Sequence, residues 1–135
     1  LINGFINGFY LGDLAFFDSN YIYSPNFIFG IIIFIFGLII NISSDNILIK
    51  IKLQNKGYQI PNGMFYKYVS CPNYLGEILE WIGFAVICYS IPALLFVIWT
   101  IANLLPRALA NHKWYKLKFQ NEYPENRKAI FPFII

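Results

Sequence analysis

The feature that most constrains this chain is residues 26–42, an apolar run rich in Ile and Phe with no charged side chain. A run of that length is about the minimum that crosses the ~30 Å hydrocarbon core of a bilayer as a helix. The competing reading is a buried helix of a soluble protein. Its surroundings favour the membrane: 58% of the residues are hydrophobic and only 13% are charged, against about 25% charged in ordinary globular domains. A water-soluble fold of 135 residues has too little interior to hide so much apolar surface. The bilayer is the natural solvent.

Charge placement adds a topology. Every Lys and Arg lies at or after Lys50, whereas residues 1–25 carry only Asp13 and Asp18. Short cytoplasmic loops collect basic residues, so the first segment is expected at the lumenal side and the basic stretches at the cytoplasmic side. Residues 26–42 then form the first span, ending near Asn41, Ser43, Ser44 and Asp45. Residues 57–63 read as a structured loop, because Pro61 biases Ile60 toward an extended form and Asn62-Gly63 favours positive φ. Residues 73–105 are again apolar and too long for one ordinary span. Tyr89-Ser90-Ile91-Pro92 offers a turn, which predicts two short helices in a hairpin and a basic tail after Pro106. The predicted fold class is an all-α, polytopic membrane bundle: about three transmembrane helices, a lumenal N-terminal segment and a cytoplasmic C-terminal tail. No internal repeat, linker or second domain is visible. The chain opens at Leu1 with neither an initiator Met nor a signal peptide, so it is expected to be part of a longer protein whose remainder lies upstream.

Polar residues in so apolar a chain carry the chemistry, because ionisable groups beside a span are costly and mark sites or pairs. Asn41 and Asp45 are one helical turn apart and share a face. Asn73, Glu77 and Glu80 share another. The topology sets both clusters at one membrane depth, where they can converge on a single cytoplasm-open pocket. Helix capping accounts for Asn73 almost as well, and a first-turn carboxylate is favoured by the helix dipole. Arg107, Lys113 and Arg127 can meet a phosphate, or can simply follow the positive-inside bias. His112 reads as a solvated tail residue. Cys71 and Cys88 have neither metal-ligand spacing nor a nearby His and read as apolar helix residues, so no metal is expected. The net charge of +3 is too small and scattered to argue for nucleic acid. Neither a G-x-G-x-x-G turn nor a phosphate-binding P-loop is present, so any nucleotide is bound without a Rossmann fold.

Four stretches carry a family likeness. They are Gly37-Leu38-Ile39-Ile40-Asn41-Ile42-Ser43-Ser44-Asp45, then Gly57-Tyr58-Gln59-Ile60-Pro61, then Val69-Ser70-Cys71-Pro72-Asn73-Tyr74-Leu75-Gly76-Glu77-Ile78-Leu79-Glu80-Trp81-Ile82-Gly83. The last begins Asn103-Leu104-Leu105-Pro106-Arg107-Ala108 and continues through His112-Lys113-Trp114-Tyr115 to Tyr123-Pro124-Glu125-Asn126-Arg127-Lys128. In order and nearly end to end, they resemble the C-terminal domain of the steroid 5-alpha-reductase family, nearest its plant brassinosteroid branch. Enoyl-CoA reductases share the Ser-Cys-Pro-Asn-Tyr stretch, but the Asn41–Asp45 and Gly76-Glu77 segments look like the steroid branch.

The resemblance implies a bundle of about seven spans in the endoplasmic reticulum membrane for the whole enzyme. It also implies NADPH as cofactor and hydride transfer to C5 of a 3-oxo-4-ene steroid. By motif position it assigns Asn41, Asp45, Lys52, Tyr58, Asn73, Glu77, Arg107, Tyr115 and Arg127 to the NADPH site. Residues 1–135 would be the NADPH-binding domain, with the carbonyl-polarising Tyr and Glu in an N-terminal half. The chain departs from the family at Gln59, where Arg is common, at Asn62-Gly63-Met64 in place of Arg-Gly-Gly, and at Lys52, a point charge in place of an Arg fork. A very-long-chain enoyl-CoA or polyprenol reductase and a non-catalytic membrane scaffold are the competing readings.

Overall fold

The computed structural model describes residues 2–14, 17–54 and 57–135. Within them the chain forms helices α1 (Ile2–Phe9), α2 (Pro25–Leu53), α3 (Pro72–Cys88) and α4 (Ile91–Phe119), with no strand. A π turn at Tyr10–Leu14 prolongs α1, and 3-10 turns at Tyr21–Tyr23, Met64–Lys67 and Gln120–Glu122 fill the connections.

The helix starts follow from local chemistry. Pro25, Pro72 and Pro92 sit in first turns, where a missing N–H costs nothing. Ser24 and Ser90 cap α2 and α4, accepting from the Phe27 and Ala93 amides, each at 3.2 Å. Only Tyr89, in the left-handed region at φ 45°, and extended Ser90 separate α3 from α4. The turn and the helical hairpin expected there are present. Gly57 (φ 75°) and Gly63 (φ 99°) bracket the non-helical loop expected at 57–63.

Two expectations need correction. First, α2 does not end with the apolar run but continues to Leu53, carrying Asn41, Asp45 and Lys52 on one helix. The Ser44 hydroxyl donates to the Ile40 carbonyl at 2.6 Å, so this polar side chain bonds back into the helix instead of breaking it. Second, α4 is not a short helix followed by a tail; it runs through Pro106, so Arg107, His112, Lys113 and Tyr115 are helical. Pro106 removes one backbone bond at an exposed position, and the core contacts of Leu104 and Ala108 hold both sides of it. The N-terminal segment packs on the bundle, where Gly4, Asn7, Gly8 and Leu11 share a cavity with Phe34, Asn41 and Glu77.

Helices α2 and α4 have 29 residues each, about 43 Å at 1.5 Å per residue. Both are long and apolar enough to cross a membrane, and only 22% and 28% of their most apolar windows are buried. Open apolar faces of this kind suit lipid and not the core of a soluble protein. At 17 residues α3 is shorter, about 25 Å.

The most extensive packing joins α2 and α3, which run antiparallel through paired glycines. A Cβ on Gly37 would lie 2.7 Å from the Gly76 carbonyl oxygen, and one on Gly30 would lie 2.9 Å from that of Gly83. Because 30 and 37 are two turns apart, as are 76 and 83, both contacts fall on one stripe and the backbones touch along it. The other side of α3 packs Cys71, Leu75 and Ile78 against Leu104 and Ala108 of α4 and against Ala129 and Ile130. The C-terminal segment is drawn in by backbone bonds: Ser70 N to Lys128 O at 2.8 Å, Lys128 N to Tyr68 O at 2.9 Å, and Cys71 N to Ala129 O at 3.1 Å.

Candidate functional site

Close approach of α2 and α3 leaves two hydrogen bonds crossing between them. Asn41 Nδ2 donates to Glu80 Oε1 at 2.8 Å. Asn73 Nδ2 donates to Asp45 Oδ1 at 3.2 Å. Each helix therefore gives one amide and one carboxylate. Glu77 lies within electrostatic range of Glu80, Asp45 and Arg107. The two clusters read from the sequence do converge.

Asn41, Glu77 and Glu80 line a cavity of about 610 Å³ with Phe34, Trp81 and Phe84, closed on one side by α1, while Asp45 and Asn73 are not among its lining residues. A second cavity, of about 460 Å³, lies farther along α2 and is lined by Leu48, Ile51, Lys52, Tyr58, Gln59, Pro61 and Tyr115. Asn41, Asp45, Leu48 and Lys52 recur at helical spacing and so form one stripe of α2. Eleven residues of helix separate its ends, about 16 Å. The stripe links the two cavities.

Aromatic rings wall the second cavity. Tyr58 meets Trp114 edge-on at 5.0 Å between centroids, and Lys118 Nζ stands 4.9 Å from the Tyr58 ring centroid. Tyr115 stacks on Tyr123 at 5.6 Å. Arg127 lines neither cavity. It is buried, donates from Nη1 to Pro61 O at 3.2 Å and from Nη2 to Asn62 Oδ1 at 3.3 Å, and packs over the Tyr123 ring. Its fork holds the 57–63 loop from behind. Arg107 is exposed on α4 and reaches Glu77 only through space.

Behind the loop lies a polar hub that the sequence reading missed. Ser70 Oγ is 2.5 Å from His112 Nδ1 and 2.6 Å from the Tyr123 hydroxyl, and it also donates to Lys128 O at 3.0 Å. With the Ser70 proton on Lys128 O, His112 must carry its proton on Nδ1 and Tyr123 must donate. His112 is thus tied into the fold and is not a solvated side chain. Nearby, burial pushes the Cys71 thiol up to about 11, opposed by the Asn111 amide. Burial likewise raises the Tyr66 hydroxyl well above its ordinary value. Cys71 and Cys88 are both free and buried at opposite ends of α3. Among the described residues no group of three or more His, Cys, Asp or Glu is arranged to hold a metal ion.

A sequence profile of the family described as 3-oxo-5-alpha-steroid 4-dehydrogenase matches residues 1–135. The chain belongs to that family. It is 45% identical over 134 residues to Steroid 5-alpha-reductase DET2 of Solanum lycopersicum, covering 99% of this chain and 52% of that protein. The DET2 protein of Arabidopsis thaliana matches at 44% over 137 residues, 99% of this chain and 52% of that protein. The 3-oxo-5-alpha-steroid 4-dehydrogenase 1 of Rattus norvegicus matches at 38% over 134 residues, covering 98% of this chain and 51% of its own length. This member of the 3-oxo-5-alpha-steroid 4-dehydrogenase family spans about half the length of the curated relatives it matches. The resemblance read from its motifs, with its plant leaning, is borne out.

Proposed function

We propose that this chain is the NADPH-holding domain of a membrane enzyme that reduces the 4,5 double bond of a 3-oxo-4-ene steroid. The observation that carries the reading is the α2 stripe, which joins a carboxylate-and-amide cavity to one lined by Lys52 and two tyrosines. Its ends differ in sign. Two carboxylates, Glu77 and Glu80, line the first cavity, and Asp45 adds its charge to theirs with Arg107 the cation in range of Glu77, so phosphate there would be repelled. That end suits neutral N–H and O–H groups, such as a carboxamide and ribose hydroxyls. The Lys52 end suits phosphate, as a point charge without an arginine's fork, and its aromatic walls suit a base. A dinucleotide has this polarity, and laid along the stripe it is held at both ends.

When bound, NADPH supplies a hydride for C5 of the steroid while a proton goes to C4, so the double bond gains both hydrogens. The residues of this chain bind and orient. Asn41, Asp45, Asn73 and Glu77 grip the neutral end, Lys52 the charged end, and Tyr58 and Tyr115 exclude water between them. Arg107 balances Glu77, and Arg127 sets the loop that carries Tyr58. The groups that polarise the 3-oxo carbonyl are assigned to the half of the relatives' length outside this chain. α2, α3 and α4 are read as three spans of a multi-pass protein of the endoplasmic reticulum membrane, with the two cavities toward the cytoplasm.

Microsomes holding the full-length protein should convert a 3-oxo-4-ene sterol to its 5-alpha product with NADPH. Asp45→Asn and Glu77→Gln should each weaken NADPH binding at least about tenfold, the loss expected for a charged hydrogen bond. Turnover of a trans-2-enoyl-CoA in place of any sterol would move the protein to another reductase class. No nucleotide binding at all would make it a scaffold.

A further inference from the structure

Resting on the NADPH reading above, we propose that Glu80 is a positioning residue that fixes which end of the Asn41 amide faces the cavity. An ionised carboxylate only accepts hydrogen bonds. The Asn41 Nδ2, 2.8 Å from Glu80 Oε1, is therefore bound to point at it, and the amide oxygen is turned to the opposite corner. Asn41 and Glu80 both line the 610 Å³ cavity, so the pair presents an acceptor to whatever enters. Without Glu80 the amide is free to turn over and offer N–H groups instead.

The backbones cannot drift to loosen this pair. A Cβ on Gly37 would sit 2.7 Å from the Glu80 amide nitrogen, and one on Gly76 would sit 2.6 Å from that of Asn41. The glycine contacts thus hold the two partners' own backbones in register. The Asp45–Asn73 bond repeats the device with the roles of α2 and α3 exchanged. The ligand group selected by an oriented amide oxygen is an N–H or O–H donor of a neutral moiety, not a phosphate.

The test uses the full-length protein in lipid nanodiscs and NADPH as the probe, with affinity and unfolding midpoint measured for each variant. Glu80→Leu should weaken NADPH binding about tenfold, while in an Asn41→Ala background the same change should add less than about twofold. Asn41→Asp sets two carboxylates against each other and should also bind weakly. Adding Glu80→Gln to it lets the Gln amide donate to Asp while the second Asp oxygen faces the cavity. That double variant should recover affinity to within about threefold of the wild type, because its acceptor needs no orienting. A merely structural role would move the unfolding midpoint without this reversal. Additive effects of Glu80→Leu and Asn41→Ala, or no recovery in the double variant, overturn the proposal while the cofactor reading stands. Failure of the wild type to bind NADPH overturns both.

Discussion

Replacing Gly76 by Ala is the sharpest probe of how α2 and α3 meet. The added methyl carbon would lie 2.6 Å from the Asn41 nitrogen and 2.7 Å from the Gly37 carbonyl oxygen. Both are backbone atoms and cannot rotate away, while comfortable non-bonded contact begins near 3.5 Å. The helices must separate by roughly 1 Å at that level. Asn41 and Glu80, now 2.8 Å apart, would then stand near 3.8 Å, beyond hydrogen-bonding range. Overpacking costs about 1–3 kcal/mol and the lost charge-assisted bond about 1.5–3 kcal/mol. The better helix propensity of Ala returns about 1 kcal/mol. The net expectation is a loss of roughly 2–5 kcal/mol together with weakened NADPH binding. Reversible unfolding of the full-length protein in nanodiscs reads the first and nucleotide titration the second. Gly12→Ala is the control: nothing lies within 4 Å of its Cβ, so it should stay within about 1 kcal/mol of wild type. If Gly76→Ala matches that control, the helices are not in backbone contact and the reasoning fails.

Burial of Cys71 should make it inert. With its thiol pushed up to about 11, roughly one molecule in ten thousand is ionised at pH 7, so iodoacetamide should label it only after unfolding. The sign for stability follows: the native state favours the protonated thiol, so nothing changes below about pH 9, the unfolded value, and stability falls as pH climbs toward 11. Cys71→Ala should flatten that alkaline limb. Ser70→Ala removes the hub shared by His112, Tyr123 and Lys128 and should cost about 2–3 kcal/mol, less than additively with Tyr123→Phe. Arg127→Lys cannot reach both Pro61 O and Asn62 Oδ1; limited proteolysis of the 57–63 loop should quicken, and unquickened cleavage would show that the fork does not hold it.

How much of this was legible in the sequence depends on the range of the interaction. The 89–92 reversal was, because a proline is tolerated in the first turn of a helix but not deep within one, a local signal; the left-handed Tyr89 that makes the turn left no such mark. The ends of α2 and α4 were not. Ser43, Ser44 and Asp45 look like a break when hydropathy is the guide, yet helix bonds do not depend on it, and Ser44 satisfies its hydroxyl on its own helix. Pro106 looks like a stop, but one missing bond does not outweigh the packing of Leu104 and Ala108. The meeting of Asn41, Asp45, Asn73 and Glu77 was anticipated from spacing and depth. Its cause, the Gly30–Gly83 and Gly37–Gly76 contacts, was available as equal spacings on two apolar segments and went unread. The Ser70–His112–Tyr123 hub left no such trace. Its members are 42 and 53 residues apart, and only the return of the C-terminal segment brings them together. The same return explains Arg127: a position that resembles a phosphate contact by motif is held here beneath Pro61 and Asn62. The loop bearing Tyr58 and the C-terminal segment therefore move as one body, and any nucleotide that orders the loop should protect the backbone amides of Ser70, Cys71 and Lys128 from exchange as well.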